Sequence, residues 1–159
     1  MRALVYAALV VVFDQVSKYL VRHNLDLHTT VPVVGDFFRL TYVENSGIVF
    51  GIKVGVALPL FTVLSIAATI LILYYFYRER ANHPGIRISL ALVLGGAIGN
   101  LIDRLVFGRV VDFLDFGLGK YRFFVFNIAD SAVTVGVVLF LLLTTFIHPQ
   151  RQEAAGENT

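Results

Sequence analysis

The sequence predicts an all-α polytopic membrane protein, with four transmembrane helices and a small β-rich element at one membrane surface. Three observations carry this. Of 159 residues, 57% are hydrophobic and 15% charged, against about 45–50% and 25% in ordinary soluble domains, and the mean hydropathy is +0.78. Four stretches approach the roughly 20 apolar residues that cross a bilayer. Two of the connections between them alternate apolar and polar residues as strands do. The same composition narrows the chemistry. Cysteine is absent, which excludes a disulfide framework, a thiol nucleophile, an iron–sulfur cluster and cysteine-ligated zinc. With 13 basic and 11 acidic residues there is no nucleic-acid footprint.

The chain reads as one integral membrane domain, 1–159, with spans at about 3–22, 57–77, 86–107 and 127–147 and a polar tail at 148–159. The first run, from Ala3, imitates a secretory signal, but no small-residue cleavage site follows and the apolar pattern continues to Val21, so it reads as a retained span. The second is uncharged over a membrane thickness and ends in Tyr74, Tyr75 and Tyr77, an interfacial aromatic ring. A short turn containing Pro84 and Gly85 leads to the third, and Asn127 to Asp130 form the first turn of the fourth. Both termini then share one side. In the long connections, Phe38 to Tyr42 reads as a half-exposed strand, and Val110 to Phe116, Gly117 to Gly119 and Tyr121 to Phe126 read as a hairpin. Basic residues near the span ends do not favour either side, so charge alone does not orient the chain. No internal repeat suggests a transporter layout.

Ionisable groups at membrane depth need a partner or a purpose. Asp14 and Lys18 lie i,i+4 on the first span and share a face; the simplest reading is a neutralised pair reaching toward the interface. On the third span, Gly95 and Gly99 permit close helix approach, and Asn100, Asp103 and Arg104 share a face. Asp103 reads as a helix-end pair. Arg104 reads as a site residue, because Asp112 follows eight residues on. Asp112 stands among Val110, Val111 and Phe113, where desolvation should raise its pKa. Asn127 and Asp130 have the spacing of a capping box. Since the third span ends and the fourth begins on one face, Asp112 and Asp130 can meet, and two such acids sharing a proton supply general base and general acid together. Asn45 to Gly51 reads as a glycine-containing loop presenting Asn45 to a ligand. Neither a G-x-S-x-G elbow nor an H-E-x-x-H motif is present, so a serine hydrolase and a metalloprotease lack support.

These blocks, in order, resemble the lipoprotein (type II) signal peptidases of bacteria, which are membrane aspartic proteases. The resemblance runs from Asp14 to about Phe146 and rests on five motifs: Asp14-x-x-x-Lys18, Asn45-x-Gly47-x-x-Phe50-Gly51, Gly99-Asn100-x-x-Asp103-Arg104, Val111-Asp112-Phe113 and Phe126-Asn127-x-Ala129-Asp130. It implies that Asp112 and Asp130 are the catalytic dyad and that Asp14, Lys18, Asn45, Gly47, Asn100, Arg104 and Asn127 support the site or bind substrate. It implies a diacylglyceryl-modified prolipoprotein as substrate, cut before the lipidated cysteine, with no metal and no cofactor. It also implies an inner-membrane monomer with cytoplasmic termini, and with the β-rich element and site at the periplasmic face. One departure is that Ile48 and Val49 stand where the family usually has small residues. Two readings from other classes remain beside it: a proton-coupled membrane carrier using the same carboxylates, and an assembly protein whose polar groups only pack the spans.

Overall fold

In a computed structural model, which describes residues 2–46, 54–78 and 83–146, four long helices carry a four-stranded antiparallel sheet at one end. The order is α1 (Ala3–Asn24), β1 (Thr30–Val34), β2 (Phe38–Asn45), α2 (Val54–Arg78), α3 (Pro84–Phe107), β3 (Val110–Leu118), β4 (Tyr121–Arg122) and α4 (Ile128–Phe146). All four helices are long and apolar enough to cross a membrane. Their outer faces expose large side chains such as Phe13, Val63, Leu71, Val106 and Leu141, which in water would be untenable over so large an area and in lipid need no cover.

Helix α3 is central and packs against each of the other three. Small residues let it do so. The backbones of α3 and α4 come so close that a β-carbon on Gly96 would run into the Ala129 carbonyl oxygen and approach Val133 Cγ2 to 2.7 Å. At the end remote from the sheet, Ala3 and Ala7 pack with Phe76, Ile86, Leu90, Ala91 and Leu94.

The ends of α3 follow from local chemistry. His83 accepts the Gly85 N–H through its ring, and Pro84 occupies the first turn, where a missing N–H costs nothing. At the far end Gly108 adopts φ 72° and its N–H returns to the Arg104 carbonyl, a left-handed cap that suits glycine. The chain therefore leaves α3 and enters β3 within two residues, which keeps Asp103 and Arg104 beside Asp112.

The sheet runs β1-β2-β3-β4, all neighbours antiparallel. Strand β1 was not expected from the sequence; its valines are exposed, so no alternation marks it. Asn45 ends β2, paired with Val110, and is not the loop residue that the sequence suggested. Tyr42, Val111 and Phe113 pack the sheet onto α1 at Val21. Across the sheet Asp115 accepts from Arg122 Nε at 2.7 Å and from Thr41 Oγ1 at 2.7 Å, while Arg122 also donates to the Asp36 carbonyl. Burial opposes ionisation of Asp115, but these donors and the nearby Arg39 hold its pKa below the usual carboxylate value.

The close α3–α4 approach yields a first prediction. Gly96→Ala should destabilise the protein by about 1–3 kcal/mol, the usual range for overpacking, read as a lower thermal midpoint in detergent. An unchanged midpoint would show that the two helices can separate freely.

Candidate active site

The candidate site lies where α1 and α3 end, α4 begins and β3 crosses between them. Its foundation is Lys18. Both Lys18 and Asp14 are 0% exposed, so the pair does not reach for the interface as the sequence suggested. Instead the ammonium of Lys18 meets Asp14 Oδ2 at 2.8 Å, Asp103 Oδ2 at 3.0 Å and Asn100 Oδ1 at 3.0 Å. An ammonium has three N–H donors and no acceptor, so this shell is complete. The remaining negative charge is met by Arg22, 3.2 Å from Asp103. Asp14 Oδ1 accepts the backbone N–H of Ala129 at 2.9 Å, which ties α1 to the first turn of α4. Gly99 is glycine for this reason: a β-carbon there would stand 2.6 Å from Asp14 Oδ2.

Lys18 also settles which way Asn100 points. Because Lys18 can only donate, it holds the Asn100 oxygen, and the Asn100 amide N–H faces outward to Asp130 Oδ1 at 2.7 Å. Asn127 is oriented by the same logic. Its side-chain oxygen accepts the Asp130 backbone N–H at 2.9 Å, while Asp130 Oδ2 accepts the Asn127 backbone N–H at 3.3 Å. This is the reciprocal capping box expected from the spacing. The Asn127 side-chain N–H is then left to donate to Asp112 Oδ1 at 2.7 Å. Asn45 donates to the other Asp112 oxygen at 3.1 Å.

Asp112 and Asp130 are thus brought together on one bridging residue. Asp112, 4% exposed, has its pKa raised to about 6, first by burial and further by the charge of Asp130, against the lowering effect of the Asn45 and Asn127 hydrogen bonds and of Lys18. Arg104 donates to the Asn100 carbonyl at 3.4 Å, and its charge acts on Asp130, Asp112 and Asp103. Each carboxylate opens on its own cavity. One, of about 470 Å3, borders Asp112 and is lined by Val43, Glu44, Asn45, Ser46, Phe124 and Val125. The other, of about 340 Å3 and largely apolar, borders Asp130 and is lined by Phe123, Phe126, Ser131, Thr134 and Val135.

Of the residues singled out from sequence, Asp14, Lys18, Asn45, Asn100, Arg104, Asp112, Asn127 and Asp130 converge here. Gly47, with Ile48 and Val49, lies outside the described residues. Sequence reasoning gave Asp103 only a helix-end role and passed over Gln15 and Arg22. Gln15 donates to Asp14 at 3.1 Å and to the Gly99 carbonyl at 3.1 Å. The available signal was the stripe Asp14, Lys18, Arg22, spaced by four along one face of α1. Among the described residues no cluster of three or more His, Cys, Asp or Glu side chains is suited to hold a metal.

Comparison with known proteins agrees across most of the chain. Residues 6–146 match the family model described as signal peptidase (SPase) II. The lipoprotein signal peptidase of Syntrophus aciditrophicus is 41% identical over 155 residues, 95% of either chain. That of Moorella thermoacetica is 46% identical over 136 residues, 86% of this chain and 87% of the relative. Two bacterial membrane enzymes solved by the in meso method have the same fold. One has a TM-score of 0.82 at 33% identity, covering 92% of this chain and 94% of the other. The second has a TM-score of 0.78 at 35% identity, covering 91% and 90%.

Two measurements check this geometry. In infrared difference spectra of wild type against Asp112→Asn, the Asp112 carboxyl band should titrate near pH 6. Asn45→Ala should move that midpoint upward, because it removes a hydrogen bond that favours the charged form. A wild-type midpoint near the ordinary 3.8 would contradict the burial described. Separately, Lys18→Met strands Asp14 and Asp103 beside one another, which should lower stability by about 3–5 kcal/mol. A denaturation midpoint equal to wild type would show that the buried ammonium does not hold the helices.

Proposed function

The chain belongs to the signal peptidase II family, and from that premise we propose that it is a membrane aspartic endopeptidase whose catalytic dyad is Asp112 and Asp130. The observation that carries the assignment is Asn127, which donates to Asp112 through its side chain and to Asp130 through its backbone. One rigid residue thereby sets both carboxylates at a single site.

The proposed chemistry is attack by water on the scissile carbonyl. Asp130 is held by two donors, Asn100 and the Asn127 backbone, and takes the water proton as general base. Asp112, whose burial raises its pKa to about 6, is the member of the pair that takes up a proton more readily; in its protonated form it hydrogen-bonds the carbonyl oxygen and then delivers that proton to the departing amine. The net change is cleavage of one C–N bond and uptake of one water, with the dyad proton returned from Asp130. Arg104, adjacent to both carboxylates, would bind the substrate backbone. Asp14 and Lys18 position Asn100 without touching substrate.

The relatives are named lipoprotein signal peptidases, and the proposed substrate here is a diacylglyceryl-modified prolipoprotein, cut before the lipidated cysteine. Two cavities of unlike character, one beside each carboxylate, support it: the apolar one beside Asp130 suits the lipid-bearing residue, and the one beside Asn45 and Glu44 suits peptide backbone. We place the sheet and dyad at the periplasmic face of the inner membrane, with both termini cytoplasmic. We propose that it acts as a monomer, since among the described residues Asn45, Asn100 and Asn127 of the same chain already supply donors to both carboxylates. The carrier reading finds no support in the family or the relatives.

Asp112→Asn and Asp130→Asn should each reduce cleavage of a diacylated prolipoprotein at least about a thousandfold, within the range for loss of a general acid or base. The assay is a gel shift with purified protein in detergent, alongside circular dichroism to show that each variant remains folded. Substantial cleavage by either folded variant would overturn the dyad. A chelator should leave wild-type activity intact, whereas inhibition reversed by zinc would require a metal mechanism.

A further inference from the structure

A second polar cluster lies at the other end of the bundle, where α1 and α3 begin. Arg87 is 16 residues before Asp103 on α3, which places it about 24 Å away at 1.5 Å per residue. A cavity of about 320 Å3 is lined there by Arg2, Ala3, Tyr6, Pro84, Arg87 and Ile88.

Among the described residues its two cations have no ion-pair partner. The ion pairs formed among the described residues use Lys18, Arg22, Arg39, Arg109 and Arg122, not Arg2 or Arg87. The Arg87 guanidinium leans on the Phe76 ring at 5.8 Å, and its Nε is shielded from solvent with no hydrogen-bond acceptor. A buried donor left in this way is uncommon in folded proteins. The neighbouring backbone donors are already engaged: Gly85 N–H by the His83 ring, and Ile86 and Arg87 N–H by the His83 carbonyl. The arginines, not the helix end, are therefore what an anion would meet.

We propose that this cavity binds the phosphate of an anionic phospholipid, with Arg2 and Arg87 clasping the headgroup. A phosphate oxygen suits the guanidinium fork, and basic pockets between spans are suited to anionic headgroups. The walls argue for lipid as the source. Ala3, Tyr6 and Ile88 line the cavity, and the outer face of α1 continues from it through exposed Leu4, Val5 and Leu9, so acyl chains would run on along a surface that already faces the bilayer.

The test uses full-length protein in neutral detergent, incubated with phosphatidylglycerol, phosphatidylcholine or inorganic phosphate, with bound lipid counted by native mass spectrometry. One phosphatidylglycerol should be retained in preference to phosphatidylcholine. Arg2→Gln and Arg87→Gln should each weaken retention about fivefold, the equivalent of one interfacial basic residue. Arg87→Lys, which keeps the charge but loses the fork, should retain more than Arg87→Gln and less than wild type. Lys120→Gln, which removes a charge at the sheet end, should leave it unchanged, and it guards against a general charge effect if a glutamine variant folds poorly. Equal retention of both lipids, equal loss in Lys120→Gln, or full displacement by millimolar inorganic phosphate would each overturn the proposal, the last by showing a site for free phosphate.

Discussion

The buried ammonium of Lys18 is the point on which the rest of the structure depends. A lysine at this depth is unfavourable unless each of its donors is met, and the three acceptors that meet them come from α1 and α3. Satisfying Lys18 therefore fixes the register of these two helices. The same carboxylate that pairs with it, Asp14, accepts an N–H from the start of α4, so α4 is set by the same requirement. Asp103 extends the hold to the sheet, because its Oδ2 also accepts the Val111 N–H at 3.2 Å. Hydrocarbon packing alone has little power to choose among such arrangements, since lipid tails are as apolar as the helix surfaces. Polar saturation supplies the choice.

Orientation passes outward from this charge by elimination. Asn100 must turn its oxygen to Lys18 and so its N–H to Asp130; Asn127 must turn its oxygen to the Asp130 backbone and so its N–H to Asp112. An amide has two distinguishable ends, and here each is constrained by one neighbour that can only donate. The two asparagines thus convert a fixed cation at the base of the site into a fixed pattern of donors at its surface. That is a form of preorganisation, in which the groups around the carboxylates need not reorient during reaction.

Much of this was legible in the sequence. Apolar runs marked the four helices, Asn127 and Asp130 declared a capping box three residues apart, and the ordered motifs from Asp14 to Asp130 pointed to one family. The remainder depends on partners far apart in the chain. Nothing local announces that Lys18 passes Asp14 to reach Asp103 and Asn100, 82 residues away in the latter case, so its pair read as an interfacial one. Asn45 looked like a loop residue because the stretch it opens contains Gly47 and Gly51, yet pairing with Val110 holds it in a strand. Strand β1 is fixed by partnership with β2, while its own valines face outward and show no period.

The bond between Asp14 and Ala129 joins residues 115 positions apart, and so joins events far apart in synthesis. When α1 enters the bilayer, Asp14 and Lys18 have only each other; Asn100 and Asp103 arrive with the third helix, and the N–H of Ala129 arrives with the last. The polar core is incomplete until the ribosome has delivered α4. Because Asp130 and its partner Asn127 belong to that final segment, no shorter nascent chain carries both carboxylates. For the dyad proposed above, the order in which the helices are made thus makes completion of the site a late event in synthesis.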